Sequence, residues 1–542
     1  MSADPGCGKS VLTSFLVDEL NSPTSQSELH GTVCYFFFKD DNEKQNNATY
    51  ALCALLHQLF TANNSLLKHA MTEFKNKDQK ITQEFRTLWN IFIKALADPN
   101  CGKVICVVDG LDECGKSTQD LFIESLVTFY STLGKDRNSL LKLIVTSRPY
   151  PSIERRFSKS PTIRLKAEDE TDDISSDISR VVRARVGSIA SQRSLTPAVR
   201  ANLEERLIHN ADRTFLWVSL ILKMIEDSAR VSKKALEDMI SNIPSALDAV
   251  YDKILQQSSD HKHARKLLHI VVAAKRPLTL DEINVAVSIG PNDRSHDDLD
   301  LEPSIDSTVK DLCGLFVRVI ESKVFLIHQT AKQFLVNNPD DSLGQGVWKK
   351  SLLPMDSDLT VALICIRYLS FTVFETEPLV LSANERTYET KSEVDSYTKK
   401  HVFLDYAAKH WTAHIHETEI GKEPEFFNSA LDVLDSGSMR LLTWFQVYWI
   451  ADNPYPELPQ NFTGLMVASY LGLSAAVGRL IEKGADVNVR GDLHGSALNA
   501  AAFREHRSVV IMLLKAGAIV YLFGNEYRNI LQVSGYCWHS IK

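Results

Sequence analysis

The chain has 542 residues and a net charge of −8, from 60 Lys and Arg against 68 Asp and Glu. Its 44% hydrophobic and 24% charged residues exclude disordered, collagen-like and mucin-like classes, and roughly 150 residues per domain predicts three to four domains. No apolar run approaches the roughly 18 residues of a membrane span, no export signal follows Met1, and the acidic balance argues against a nucleic-acid binder, which needs a basic face.

The first ten residues carry the strongest local motif. Ala3-Asp4-Pro5-Gly6-Cys7-Gly8-Lys9-Ser10 has the form G-x-x-x-x-G-K-[ST], with Ala3 in place of the first Gly. Small residues let backbone N–H groups curl around phosphate oxygens, and the helix that follows adds positive potential. Gly6, Cys7, Gly8, Lys9, Ser10 and Val11 are therefore expected to line a nucleotide. Lys9 would reach the β- and γ-phosphates, and Ser10 would ligate Mg²⁺. Such a loop normally follows a strand of five or six residues. Only Met1 and Ser2 precede Ala3, so that first strand is expected to be missing.

Downstream, β-branched, aromatic and apolar runs predict strands at 32–38, 104–108, 141–146 and 162–165. Helical patterns at 50–60, 83–97 and 121–133 lie between them. Alternation of this kind implies a parallel sheet covered on both faces. The run 104–108 ends in Asp109, and the carboxyl end of a strand is where an open α/β sheet binds its ligand. Asp109 is the second expected Mg²⁺ ligand. Asp112 or Glu113, on the same loop, would orient or deprotonate an attacking water. The strand near 141–146 runs into Thr146-Ser147-Arg148, and Arg148 would pair with the γ-phosphate.

Beyond residue 170 the strand signal fades. A helix is expected to start near 169–173, followed by helical patterns at 203–225, 236–240, 246–256, 264–274 and 280–287. After a short helix at 309–312, two strands, 315–320 and 323–327, flank a Glu321-Ser322 turn, and another helix starts at Thr330. Three helices and a hairpin are the content of a winged helix. Residues 346–460 read as mostly helical, with helices at 359–369 and 403–414, a polar loop at 375–398, and a proline-rich linker at 453–459. The nine cysteines are scattered, without a C-x2-C pair, and read as reduced structural thiols rather than zinc ligands. Cys7, in the phosphate loop, is a further candidate for redox control. His410, Trp411 and His414 read as helix packing.

The last segment repeats. Leu465 and Leu498, Ala468 and Ala501, and Gly484 and Gly517 are each separated by 33 residues, and Leu531 follows Leu498 by the same interval. That period resembles ankyrin repeats. Two units plus a partial third are expected.

The phosphate loop, the Asp109-Gly110-Leu111-Asp112-Glu113 segment and Thr146-Ser147-Arg148-Pro149 stand in an order that resembles the NACHT class of STAND NTPases. The likeness is to the fungal NACHT–ankyrin group and the nephrocystin-3-like N-terminal module. Thr214-Phe215-Leu216-Trp217-Val218, Arg276-Pro277-Leu278-Thr279-Leu280-Asp281-Glu282 and His328-Gln329-Thr330-Ala331-Lys332-Gln333-Phe334-Leu335 extend it. The resemblance implies an α/β P-loop NTPase domain at 1–170, a helical lid at 171–245, a winged helix at 246–345, a helical linker domain at 346–460 and ankyrin repeats at 461–542. It implies a cytoplasmic signalling switch of the kind used in fungal non-self recognition, binding ATP or GTP with Mg²⁺, hydrolysing slowly, oligomerising on activation and recognising protein ligands through the repeats. In related switches a winged-helix histidine touches the bound diphosphate, and His328 is the candidate; capping or core packing is its alternative role. The missing strand and the partial third repeat raise the expectation of a chain cut at both ends. A second functional reading is an interaction scaffold with a degenerate NTPase domain.

Overall fold

The computed structural model describes residues 1–3, 8–22, 31–40, 42, 44–132, 141–158, 163–165, 171–193, 195–211, 215–227, 242–244, 246–336, 347–381, 387–416, 424–452, 462–491 and 495–520. Gly6, Cys7, the 236–240 helix, the 453–459 linker and the third repeat lie outside them. The chain divides into two compact units, 1–257 with 328–334, and 258–327 with 335–542. Among the described residues, no helix is long and apolar enough to cross a membrane.

The first unit is built on parallel strands. β2 (Gly31–Phe37) pairs with β3 (Lys103–Asp109), and β3 pairs with β4 (Leu141–Val145). The first strand, expected to be missing, is present as two residues, β1 (Ser2–Ala3), paired with β5 (Arg164–Leu165). Ser2 also bridges Ser147, and the Met1 amino group donates to the Val145 carbonyl at 2.8 Å. The short β1 therefore lies between β4 and β5. Helices α1 (Lys9–Leu20), α2 (Ala48–Ala62), α3 (Lys68–Lys77), α4 (Phe85–Leu96) and α5 (Lys116–Thr132) follow the strands as the alternating pattern requires, with α3 the one the sequence reading lacked.

Side-chain alternation along β3 assigns its two faces. Val104, Cys106 and Val108 enter the larger core with Leu52, Leu55, Phe92 and Phe122. Ile105 and Val107 pack with Val17 and Leu20 of α1. The next residue of that second series is Asp109, so the strand's own period delivers its carboxylate to the α1 side.

The helices α6 (Thr171–Arg193), α7 (Pro197–Asn210) and α8 (Phe215–Asp227) follow. The single helical stretch expected over 203–225 is thus two helices. Helix α9 (Leu247–Gln256) completes this part of the unit, and the chain returns to it for α13 (Gln329–Leu335). There Tyr251 of α9 stacks against Phe334 and its hydroxyl meets Thr330 at 2.8 Å.

The second unit opens with α10 (His261–Ala273), α11 (Leu280–Ser288) and α12 (Ile305–Cys313), then the antiparallel pair β6 (Val317–Ile320) and β7 (Lys323–Leu326). Glu321 and Ser322 both take positive φ, 49° and 59°, the tight turn expected of a two-residue hairpin loop. Thr279 and Glu282 form a capping box at α11. Helices α14 (Pro354–Leu369), α15 (Thr387–Lys400), α16 (Leu404–His416), α17 (Pro424–Asp432) and α18 (Met439–Asp452) follow.

Helix α15 corrects the expected loop at 375–398. Its polar sequence hides the signal: among its described side chains only Val394 is buried, and Tyr397 makes a ring contact with His401. Trp411 packs edge-on against Trp444, and His414 is enclosed between Asp358 and Tyr406, as helix packing predicts. The unit ends in two helix hairpins, α19 (Gly464–Tyr470) with α20 (Ser474–Glu482), and α21 (Ala497–Phe503) with α22 (Arg507–Lys515). Thr463 and Ser496 cap the first helix of each pair, and Gly484 and Gly517 close the second helices at φ 88° and 89°.

Candidate functional site

Helix α1 starts on Gly8, whose φ of 78° is left-handed and favours glycine. Neither a capping side chain nor an acidic residue of the helix itself occupies its first turn. Ser10, in that turn, donates to Asp109 Oδ2 at 2.6 Å. Thr13, on the same face, donates to Asp109 Oδ1 at 2.8 Å, and Thr146 at 2.5 Å. Asp109 is 3% exposed. Three hydroxyls thus fix a buried carboxylate beside the start of α1. Lys9 lies at the helix start and Val11 is exposed in its first turn.

The loop after β3 turns at Gly110, φ 67°, and its amide donates to Thr146 Oγ1 at 3.0 Å. Asp112 does not face this turn as a free carboxylate. It holds Arg148, accepting from the Arg148 backbone amide at 3.0 Å and pairing with Nε at 3.2 Å. Glu113 is half-buried, and its carboxyl is pushed up to about 8 by burial first, then by the negative charges of Asp40 and Asp112, with Arg148 opposing.

Arg148 is 6% exposed. Its remaining nitrogens are held by α13: NH1 donates to Gln333 Oε1 at 3.1 Å, and NH2 donates to Gln329 Oε1. Gln329 in turn donates to Asp40 Oδ2 at 3.4 Å, and Lys332 stands 3.9 Å from the same oxygen. His328 caps α13. Its Nδ1 accepts from the Thr330 amide at 3.2 Å and meets Thr330 Oγ1 at 2.9 Å.

The structure therefore brings together Ser10 and Asp109, and Asp112 and Arg148, from the sequence-derived set. It adds Thr13, Thr146, Asp40, Gln329 and Gln333. Thr13 was findable, three residues beyond Ser10 on one helix face. The glutamines carried no signal of their own.

For a nucleotide and Mg²⁺ the donor chemistry fits. Ser10 Oγ and the Asp109 carboxylate are oxygen donors of the kind a hard cation takes, beside the start of α1. A parallel α/β unit with this pair at the strand ends has the arrangement expected of a P-loop NTPase domain, in a chain that is predominantly helical. Residues 1–148 match the family described as Nephrocystin 3, N-terminal, and residues 251–344 match the GPI inositol-deacylase winged helix domain. The chain is 29% identical over 348 residues to the vegetative incompatibility protein HET-E-1 of Podospora anserina, covering 63% of this chain and 24% of that protein's length. A solved structure, that of the Aeropyrum pernix ORC2 protein in ADPNP–ADP complexes, aligns over 61% of this chain and 85% of that one at 13% identity, with a TM-score of 0.25, too low for a shared overall architecture. The resemblance to the nephrocystin-3-like, NACHT-type module rests on the family match over residues 1–148 and the likeness to HET-E-1.

Proposed function

We propose that the chain is a nucleotide-dependent signalling switch that binds ATP or GTP with Mg²⁺ and hydrolyses it slowly. The observation that carries this reading is the 2.6 Å contact of Ser10 with Asp109. Lys9 would bind the β- and γ-phosphates together with Gly8, Val11 and the loop residues Gly6 and Cys7. Ser10 and Asp109 would hold Mg²⁺, which when bound supplies charge neutralisation at the phosphate oxygens. Because Asp112 is committed to Arg148, Glu113 is the carboxylate left to take a proton from water, and its raised pKa suits a base working near neutrality. The paired helices between 464 and 515, of 33-residue period, serve as ankyrin-type repeats that bind a protein ligand, with self-association on activation in the cytoplasm.

The test is a titration with fluorescent di- and triphosphate analogues, with and without Mg²⁺. Lys9→Ala and Asp109→Ala are expected to weaken binding at least about tenfold, in line with loss of a charge-assisted contact. Absence of saturable, Lys9-dependent binding would sink the reading and favour the scaffold role. Turnover should rise with pH through about 8 as Glu113 loses its proton, and Glu113→Gln should flatten that profile.

A further inference from the structure

We infer that Gln329 and Gln333 of α13 are positioning residues that set the preference of this site for diphosphate over triphosphate, by holding Arg148 through exchangeable neutral contacts. The inference rests on the nucleotide-switch reading above and assigns a regulator to that same site.

The argument starts from the guanidinium. All three of its nitrogens already have protein partners: Nε with Asp112, NH1 with Gln333 and NH2 with Gln329. Asp112 also takes the Arg148 backbone amide, so it fixes the root of the residue whatever the outer nitrogens do. The outer two donors go to amide oxygens, which are neutral acceptors. A terminal phosphate is a charged acceptor that matches the guanidinium fork and forms roughly twice as strong a hydrogen bond. A triphosphate therefore has something to gain by taking Arg148 from the glutamines, and a diphosphate, lacking that terminal group, has nothing.

The two glutamines lie one helical turn apart on α13, so both contacts are made or lost with the docking of one short helix. Gln329 is also tied to Asp40 at 3.4 Å, the carboxylate that helps raise the Glu113 pKa. Withdrawal of α13 would free Arg148 and alter the surroundings of Glu113 in one event.

The sign of the effect can be set in both directions. Gln329→Leu with Gln333→Leu removes the competing acceptors. Gln333→Glu, at an exposed position, replaces a neutral acceptor by a charged one; the same change at Gln329 would meet Asp40 and is unsuitable. Affinities of fluorescent, non-hydrolysable triphosphate and diphosphate analogues are measured on the full chain with Mg²⁺, with thermal unfolding as a folding control. The double Leu variant should raise triphosphate relative to diphosphate affinity by about fivefold, and Gln333→Glu should lower it by about the same factor, the scale of one hydrogen bond. An unchanged ratio in both, with Lys9-dependent binding intact, overturns the inference and leaves the switch reading standing. A shift in the same direction in both marks general loosening and also overturns it. Absence of Lys9-dependent binding in the unmodified chain removes both.

Discussion

Each unit holds an arginine in a polar network, buried at Arg148 and half-buried at Arg276, and the two networks are built differently. Arg148 has one carboxylate, Asp112, and two neutral amides. Arg276 has Glu282 in a two-pronged pair at 2.9 and 2.7 Å, Asp405 at 3.0 Å, and the Tyr406 ring 5.2 Å from its guanidinium carbon. Burial works against the Arg276 charge, but Glu282 and Asp405 more than offset it and push its pKa above the usual arginine value. Beside it, Lys275 and His414 share the Asp358 carboxylate, and His414 reaches the Tyr406 hydroxyl at 2.9 Å. A network in which charges meet charges fixes helices against one another. A network in which a charge meets neutral amides can be exchanged for a ligand at little cost.

The largest expected effect tests that contrast directly. Glu282→Ala leaves the half-buried Arg276 with half its counter-charge and should cost about 2–3 kcal/mol of stability, read as a lowered urea midpoint. Removing both glutamine acceptors from Arg148 should cost about 1–2 kcal/mol. Equal losses would end the distinction between a structural and an exchangeable arginine.

A second, smaller effect compares two glycines in the terminal helix hairpins. Gly472 has φ 72°, and an added Cβ would fall 2.6 Å from the His506 ring, whose Nε2 meets the Tyr470 carbonyl at 3.0 Å. Gly484 has φ 88° with nothing within 4 Å of an added Cβ. Gly484→Ala should show the backbone cost alone, about 1–2 kcal/mol, and Gly472→Ala that cost plus the clash. If both fall equally in thermal unfolding, His506 yields and does not lock the hairpin.

What was legible in the sequence follows the same division. A run of apolar residues ending in Asp109 declares a buried strand with a carboxylate at its tip, because period-2 alternation is a local property. The Lys9-Ser10 loop and the 33-residue period are local too. The partners of Arg148 were not legible: Gln329 and Gln333 lie about 180 residues away, and glutamine is chemically unspecific until tertiary structure aims it. Asp112 was read as a group for water because spacing cannot tell a free carboxylate from a paired one. Helix α15 was read as a loop because one buried valine gives no periodicity.

The smallest effect concerns acid, and its sign differs between the two regions. In the second unit His401 is pushed down to about 4 by burial, then by His296 and Lys400, with Glu377 opposing. His296 is lowered as well, chiefly by burial, and so is His410, to about 3. A depressed histidine means that the unfolded chain binds more protons, so the stability these groups allow is present above the unfolded value of about 6.5 and is lost as pH falls toward 4. Glu113 is raised to about 8, so its contribution is present below about 4.5 and lost as pH rises through 8. Moving from pH 7 to 5.5 should therefore weaken the second unit while favouring the fold around Glu113. Hydrogen exchange resolved along the chain separates the two. His401→Gln should remove about 1 kcal/mol of the acid-induced loss in the second unit, the worth of one pH unit at one group, and leave the pH response near Glu113 as it was. A loss that persists undiminished in that variant would place the acid sensitivity on His296 and His410 instead.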